Sequence, residues 1–330
     1  MATATVSVDR HEVVDLCLAA LDAVGARRRV AELLTDAALY AEDRGHGVVG
    51  VAHLLDHVDA MVDGRLDGRA VPYLVAPAPA VITSDARGGI AQAGFDECFT
   101  HLVQAARRCG LAAFTQRGAF TCGPLGWFTE RLADAGLVGV ATAVAPAALA
   151  AGAGTGRVYG TNPMAWSVPR AGGPPLTVDQ ASSSTAFVAV REAAAQGTPL
   201  PAGWAVDADG RPTTDPDAAL AGALLPFGGY KGANIALLVE LLSAMAGGNW
   251  SIDASQWDSG DRSPSVGMFV LAVDHGAVAP GYPERVGDQL ARLADAGVRL
   301  PSARRAPAGT VTLRADVLAA LRKHISTPRC

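Results

Sequence analysis

Lysine is almost missing from this 330-residue chain: of its 27 basic residues, only Lys231 and Lys323 are not arginine. Beside abundant alanine and glycine, that scarcity reads as a GC-rich coding bias rather than as function. The net charge is −5, so the basic surplus that a phosphate-binding face normally needs is absent, which argues against nucleic acid as the main partner. The five cysteines (Cys17, Cys98, Cys109, Cys122 and Cys330) are scattered, with no Cys-x-x-Cys pair. Their spacing points to no metal site and to structural thiols in a reduced, cytoplasmic protein. The N-terminus has no basic region followed by an apolar core, so no secretory signal is expected. No uncharged apolar run reaches the roughly 18 residues of a membrane span. Neither Gly-x-Gly-x-x-Gly after a strand nor a P-loop is present.

What remains is half apolar and poor in aromatics, with enough length for a large core. That profile suits an α/β or α+β enzyme-like globule. Apolar spacing predicts helices from Arg10 towards Gly25, over 27–43, and over 51–62. Residues 71–95 read as extended, 95–109 as helix, 111–115 as strand and 124–135 as helix. Further strands are expected at 138–144, 164–168, 176–179 and 266–273. Helices are expected at 182–195, 283–297 and 314–325, and a polar surface excursion at 250–265. The expected organisation is a discontinuous, mainly helical domain of residues 1–70 plus 283–330. A cofactor-binding α/β domain of residues 71–282 would carry a small inserted subdomain.

One loop stands out. Gly228-Gly-Tyr-Lys-Gly232 runs straight into a long apolar helix. Glycines let backbone N–H groups approach a ligand, a helix N-terminus favours an anion, and Lys231 adds a point charge. A tight loop before a buried helix would look the same.

Taken in order, Gly160-Thr-Asn-Pro-Met-Ala-Trp, Val178-Asp-Gln-Ala-Ser-Ser-Ser, Pro201-Ala-Gly-Trp-Ala, Pro212-Thr-Thr-Asp-Pro and Pro226-Phe-Gly-Gly-Tyr-Lys-Gly resemble the malate/L-lactate dehydrogenase family, which is distinct from the Rossmann-type dehydrogenases. The resemblance covers nearly the whole chain. It implies an α/β, non-Rossmann fold with a largely antiparallel central sheet and flanking helical segments, a homodimer, a small-molecule substrate, and NADPH or NADH as cofactor. It also implies three cofactor loops. They are Thr161, Asn162 and Pro163; Asp179, Ala181 and Ser182; and Gly228, Gly229 and Lys231. For the serines, a helix N-cap is the competing role. Leu300-Pro-Ser-Ala-Arg304 resembles a further family motif, in which Arg304 would meet a phosphate or simply be an exposed charge beside Arg305.

The chain departs from the family where catalysis sits. The family reads Arg-Gly-His-Asp-Ser-His-Gly-Val, followed by an arginine and a tyrosine. Without gaps the register is Arg44-Gly-His-Gly-Val-Val-Gly-Val51, with Val48 and Val49 in the Ser-His positions, His53 for the arginine and His57 for the tyrosine; a gapped register would put His46-Gly47-Val48 on His-Gly-Val, but Arg44–His46 before and Ala52–Leu54 after fit without gaps. The family's Arg-Asn-Ser-Asn-His-Phe-Gly is Arg117-Gly-Ala-Phe-Thr-Cys-Gly123, which puts Thr121 at the catalytic histidine. Threonine cannot carry a proton near neutral pH as imidazole does. Val48, Val49, Arg117 and Phe120 are therefore expected to line an altered, more apolar substrate pocket. His53 and His57, one helical turn apart, are either exposed helix histidines or, with His46, candidates for a replacement acid.

An iminium accepts hydride without a proton at that step, whereas a ketone needs a donor. The expected activity is hydride transfer to a C=N or an activated C=C bond. The alternatives are a 2-keto acid dehydrogenase with a relocated acid and a homologue that binds cofactor without redox chemistry.

Overall fold

The computed structural model describes residues 4–301 and 308–326. The strand Val266–Val273 is apolar at nearly every position and almost wholly buried, which places it in the middle of a seven-stranded sheet. The sheet runs Tyr73–Ala78, Val81–Asp85, Leu111–Ala119, Val266–Val273, Val138–Ala143, Met164–Val168, Leu176–Gln180. Only Val81–Asp85 and Leu111–Ala119 pair in parallel; every other pair is antiparallel. The helix Ala91–Cys109 makes the crossover that a parallel pair requires. On one face Phe95 meets Phe114, Trp127 and Phe128 with ring centroids 5.8, 6.0 and 5.1 Å away, fixing that helix and the helix Gly126–Asp134 to the sheet.

The helices Arg10–Ala23, Arg28–Asp43, Val51–Val62 and Ala315–Ser326 pack beside this sheet. Asp9 caps the first by accepting the N–H groups of His11 and Glu12. A two-stranded sheet, Thr5–Asp9 against Thr310–Arg314, joins the two ends of the chain. A five-stranded sheet of very short strands is built on Leu149–Ala150, Ala205–Val206 and Ala223–Leu224. With the helix Phe187–Gln196 it encloses its own apolar cluster of Leu149, Val190, Leu200 and Leu224.

The largely antiparallel sheet with flanking helices is the architecture expected from the sequence. Four local expectations need correction. The helix expected from 95 starts at Ala91, and the strand expected to end at 115 runs to Ala119. The helix expected from Ser182 starts at Phe187 with Ala186 at its N-cap, because Ser182–Ser184 pair with Leu225–Phe227. The excursion at 250–265 is not purely superficial: Ser251 is fully buried, and Trp257 packs edge-on against His53 at 5.2 Å.

Candidate active site

The helix Val51–Val62 begins at Gly50, which offers no side-chain cap; the Val51 N–H is taken instead by Glu42 Oε1 at 2.9 Å. Burial raises the Glu42 carboxyl above its usual range, against the pull of that N–H. His53 and His57 lie one turn apart on the inner face and are not exposed, at 8% and 2% accessibility. Their rings meet edge to face at 4.7 Å. Phe120 covers His57 at 5.4 Å, and Trp257 covers His53.

Both imidazoles converge on one hydroxyl. Thr121 Oγ1 lies 3.0 Å from His53 Nε2 and 3.1 Å from His57 Nε2. The outer nitrogens are held too: His53 Nδ1 is 2.8 Å from Asp56 Oδ2, and His57 Nδ1 is 2.8 Å from the His53 carbonyl. Burial, reinforced by the neighbouring His53, pushes the His57 imidazole down to about 3. A void of about 10 Å³, room for one water, opens beside this cluster between Val49, Gln92 and Pro124. Gln92 donates to the Cys122 carbonyl at 3.0 Å, and its buried Oε1 has no hydrogen-bond partner.

Pro124 also walls a larger cleft of about 230 Å³ lined by Tyr40, Arg44, His46, Thr177, Asp179 and Gln180. Arg44 is not free to clamp an anion there. It is paired with Glu130, and its guanidinium stacks 3.5 Å over the Tyr40 ring. Asp179 accepts the Gly126 N–H at 2.8 Å. Burial raises its carboxyl, while the N–H groups of Gly126 and Leu125, His46 and Arg44 pull it the other way. His46 thus belongs to this cleft and not to the Thr121 cluster.

The three glycine- and serine-bearing loops expected to hold a cofactor are brought together. Ser182 N–H bonds the Thr161 carbonyl at 2.7 Å, Phe227 N–H bonds the Ser182 carbonyl at 3.1 Å, and Ser183 bridges Pro226. Gly228 and Gly229 adopt φ of +58° and +66°, which the glycine side chain permits, and they are exposed with Lys231. No side chain caps the helix Tyr230–Ala244, so its N-terminal N–H groups face outward beside Lys231, an arrangement that fits a dinucleotide's phosphates. Gly232 is dictated by packing: a Cβ there would stand 2.1 Å from the Phe227 carbonyl oxygen. Thr161, Pro163 and Ala181 are half-buried along the same loops.

Several expected site residues stand elsewhere. Asn162 is fully buried and turned inward, donating to Glu240 Oε2 at 2.7 Å and to the Ala236 carbonyl at 3.1 Å. Ser182 Oγ donates to the Asn162 carbonyl at 2.9 Å, so it caps no helix and faces no ligand. Arg117 is exposed and paired with Asp85 at 3.0 Å, away from the histidine cluster. Val48 is exposed, while Val49 lines the small void. Arg304 lies outside the described residues. Sequence reasoning passed over Asp56, although His53-x-x-Asp56 is a one-turn pair on a helix. It also passed over Gln92 and Trp257, which reach the site from distant segments and leave no local signal.

A profile described as malate/L-lactate dehydrogenase matches residues 8–313. The chain is 39% identical over 301 residues to (2R)-3-sulfolactate dehydrogenase (NADP(+)) of Chromohalobacter salexigens, covering 90% of each. It is 39% identical over 284 residues to Δ1-pyrroline-2-carboxylate reductase of Pseudomonas fluorescens, covering 84% of this chain and 83% of that one. The solved structure of Δ1-piperideine-2-carboxylate reductase from Pseudomonas syringae superposes with a TM-score of 0.89 at 30% identity, over 97% and 99% of the two chains. With its glycine loop, its sheet and its relatives in agreement, this chain belongs to the malate/L-lactate dehydrogenase family.

Proposed function

We propose that the protein is an NAD(P)H-dependent reductase that delivers hydride to the C=N bond of a small cyclic imine. The observation that carries this reading is the buried meeting of His53 and His57 on Thr121, beside the wall shared with the cleft. It brings two imidazoles onto Thr121, the position at which the sequence register expects the family histidine. It stands in a chain 39% identical to a Δ1-pyrroline-2-carboxylate reductase. The cofactor would lie along Thr161–Pro163, Ala181 and Gly228–Lys231, supplying the hydride. The protein's part is to hold the substrate against it beside the half-buried Val49 and Trp257, with Phe120 fully buried behind His57 rather than lining the pocket, and to provide a proton where the imine is neutral. The (2R)-3-sulfolactate dehydrogenase relative favours a second reading, reduction of a 2-keto acid with the same acid, and its NADP(+) favours NADPH.

Titrating NADPH and NADH against the fluorescence of the five tryptophans, then following cofactor oxidation with Δ1-pyrroline-2-carboxylate and with pyruvate, separates the readings. Binding with imine turnover is expected. Turnover of pyruvate alone would move the assignment to the keto acid, and absence of nucleotide binding would end both.

No helix among the described residues is long and apolar enough to cross a membrane. The helix Tyr230–Ala244 nonetheless shows solvent a stripe of Leu237, Leu241 and the following Met245, with Leu241 52% and Met245 63% exposed. Such a stripe suits a second copy of the chain, so a homodimer is part of the proposal. Leu241→Glu is expected to shift the protein from dimer to monomer in sedimentation velocity; a wild-type monomer would count against the interface. A cytoplasmic location is the setting that suits the unpaired Cys17, Cys98 and Cys122.

A further inference from the structure

With His57 buried and neutral, the hydrogen bonds of the histidine cluster have one consistent direction. A carbonyl only accepts, so His57 Nδ1 carries the proton that bonds the His53 carbonyl. His57 is buried and neutral, so its Nε2 is bare and accepts. Among the described residues, the hydrogen-bond partner of that nitrogen is the Thr121 hydroxyl, at 3.1 Å. A hydroxyl has one proton, so Thr121 Oγ1 must accept from the other side, and His53 Nε2 must donate across its 3.0 Å. At the far edge of the same ring, His53 Nδ1 faces the Asp56 carboxylate at 2.8 Å, which also only accepts. Both nitrogens of His53 therefore carry protons.

We propose that Asp56 is the positioning residue that holds His53 as an imidazolium, and that His53 Nε2–H, parked on Thr121, is the proton this site releases to its substrate. The hydroxyl of Thr121 is committed to His57, so Thr121 and His57 together orient the donor rather than donate. Other charges around the ring do not undo this. Arg65 is turned to the Trp257 carbonyl at 2.7 Å and lies 5.8 Å over the Phe120 ring. In the ungapped register expected from the sequence, His53, His57 and Thr121 are the positions that differ from the family pattern. In the step this serves, hydride adds to the imine carbon and the C=N π pair moves to nitrogen. The Nε2–H bond of His53 breaks, its proton joins that nitrogen, and the ring is left neutral with Nδ1–H on Asp56. Solvent then returns the proton. The proposal rests on the reductase reading only for the identity of the proton acceptor; the protonation of the ring does not depend on it.

The test uses protein labelled with 15N-histidine at neutral pH, with His53 assigned by comparison with His53→Gln. Ring-nitrogen shifts and couplings distinguish an imidazolium from either neutral tautomer. His53 is expected to be protonated at both nitrogens and His57 at Nδ1 alone. In Asp56→Asn the His53 ring should turn neutral. The kcat for Δ1-pyrroline-2-carboxylate should then fall at least about tenfold, a fraction of the 10²–10⁴ that a positioned acid contributes, with NADPH affinity unchanged; Asp56→Glu should recover part of it. A neutral His53 in the wild type overturns the proposal whatever the variants do. So does an Asp56→Asn protein that keeps the wild-type kcat. An imidazolium signature in a protein that turns over no imine upholds the wiring and ends the imine reading instead.

Discussion

Replacing His53 by glutamine is expected to lower kcat for imine reduction by about 10²–10⁴, the range a positioned general acid supplies. Nucleotide affinity should be unchanged. Glutamine is of similar reach and can still donate to Thr121, so loss of the imidazole, rather than collapse of the pocket, dominates the effect. The ring sits behind Trp257 with only 8% of the residue's surface open, so bulk water has little chance to stand in as donor. His11→Gln, on the exposed start of the first helix, serves as the comparison and should behave as wild type. Equal kcat values for the two variants would remove His53 from the chemistry. A raised KM with kcat preserved would make it a binding group only.

The second large effect is on stability in acid. His57 is buried and neutral, its imidazole pushed down to about 3 by burial and by His53, whereas in the unfolded chain it titrates near its ordinary value of about 6.5. Above about 6.5 neither state binds the proton and the group contributes nothing. Below that, the unfolded chain binds a proton that the folded protein refuses, so stability falls by about 1.4 kcal/mol for each pH unit until the folded site itself protonates. Urea unfolding at pH 6.5 and pH 5 should therefore differ by roughly 2 kcal/mol from this residue alone. His57→Gln should be less stable at neutral pH, because the bond to the His53 carbonyl is weakened, yet flatter across that interval. Equal slopes for the two proteins would show that His57 is not the source. Asp179 and Glu42, whose carboxyls burial raises, act in the opposite sense further into the acid range.

Much of the frame is legible in the chain. The helix Val51–Val62 and the strands Met164–Val168 and Val266–Val273 follow from apolar spacing and β-branched content with their ends in place. Periodicity survives folding because each element buries one face or both. The site is less legible, and His53 shows why. Its spacing from His57 puts both on one helical face, but whether that face meets water depends on Thr121, Phe120 and Trp257, supplied by other parts of the chain. Asn162 illustrates the reverse. A Thr-Asn-Pro turn suits a ribose, yet the same amide suits a buried carboxylate, and Glu240 with Ser251 takes it: Ser251 Oγ and Asn162 Nδ2 both reach Glu240 Oε2. Local chemistry states what a side chain can bond. It does not state which partner the fold will bring.

The strand pair formed by Thr5–Asp9 and Thr310–Arg314 bears on the order in which the protein can be made. Translation delivers residue 5 long before residue 310, and chains fold from the N-terminus as they emerge. Until the last strand leaves the ribosome, Thr5–Asp9 has an unsatisfied edge. The helix that carries His53 likewise lacks the closing helix Ala315–Ser326 beside it, including the 3.3 Å contact between Asp59 and His324. The central sheet can assemble during synthesis, whereas the layer that houses the histidines is finished only once residues 310–326 have emerged. A nascent chain halted before residue 310 therefore carries the sheet without the finished layer around His53 and His57.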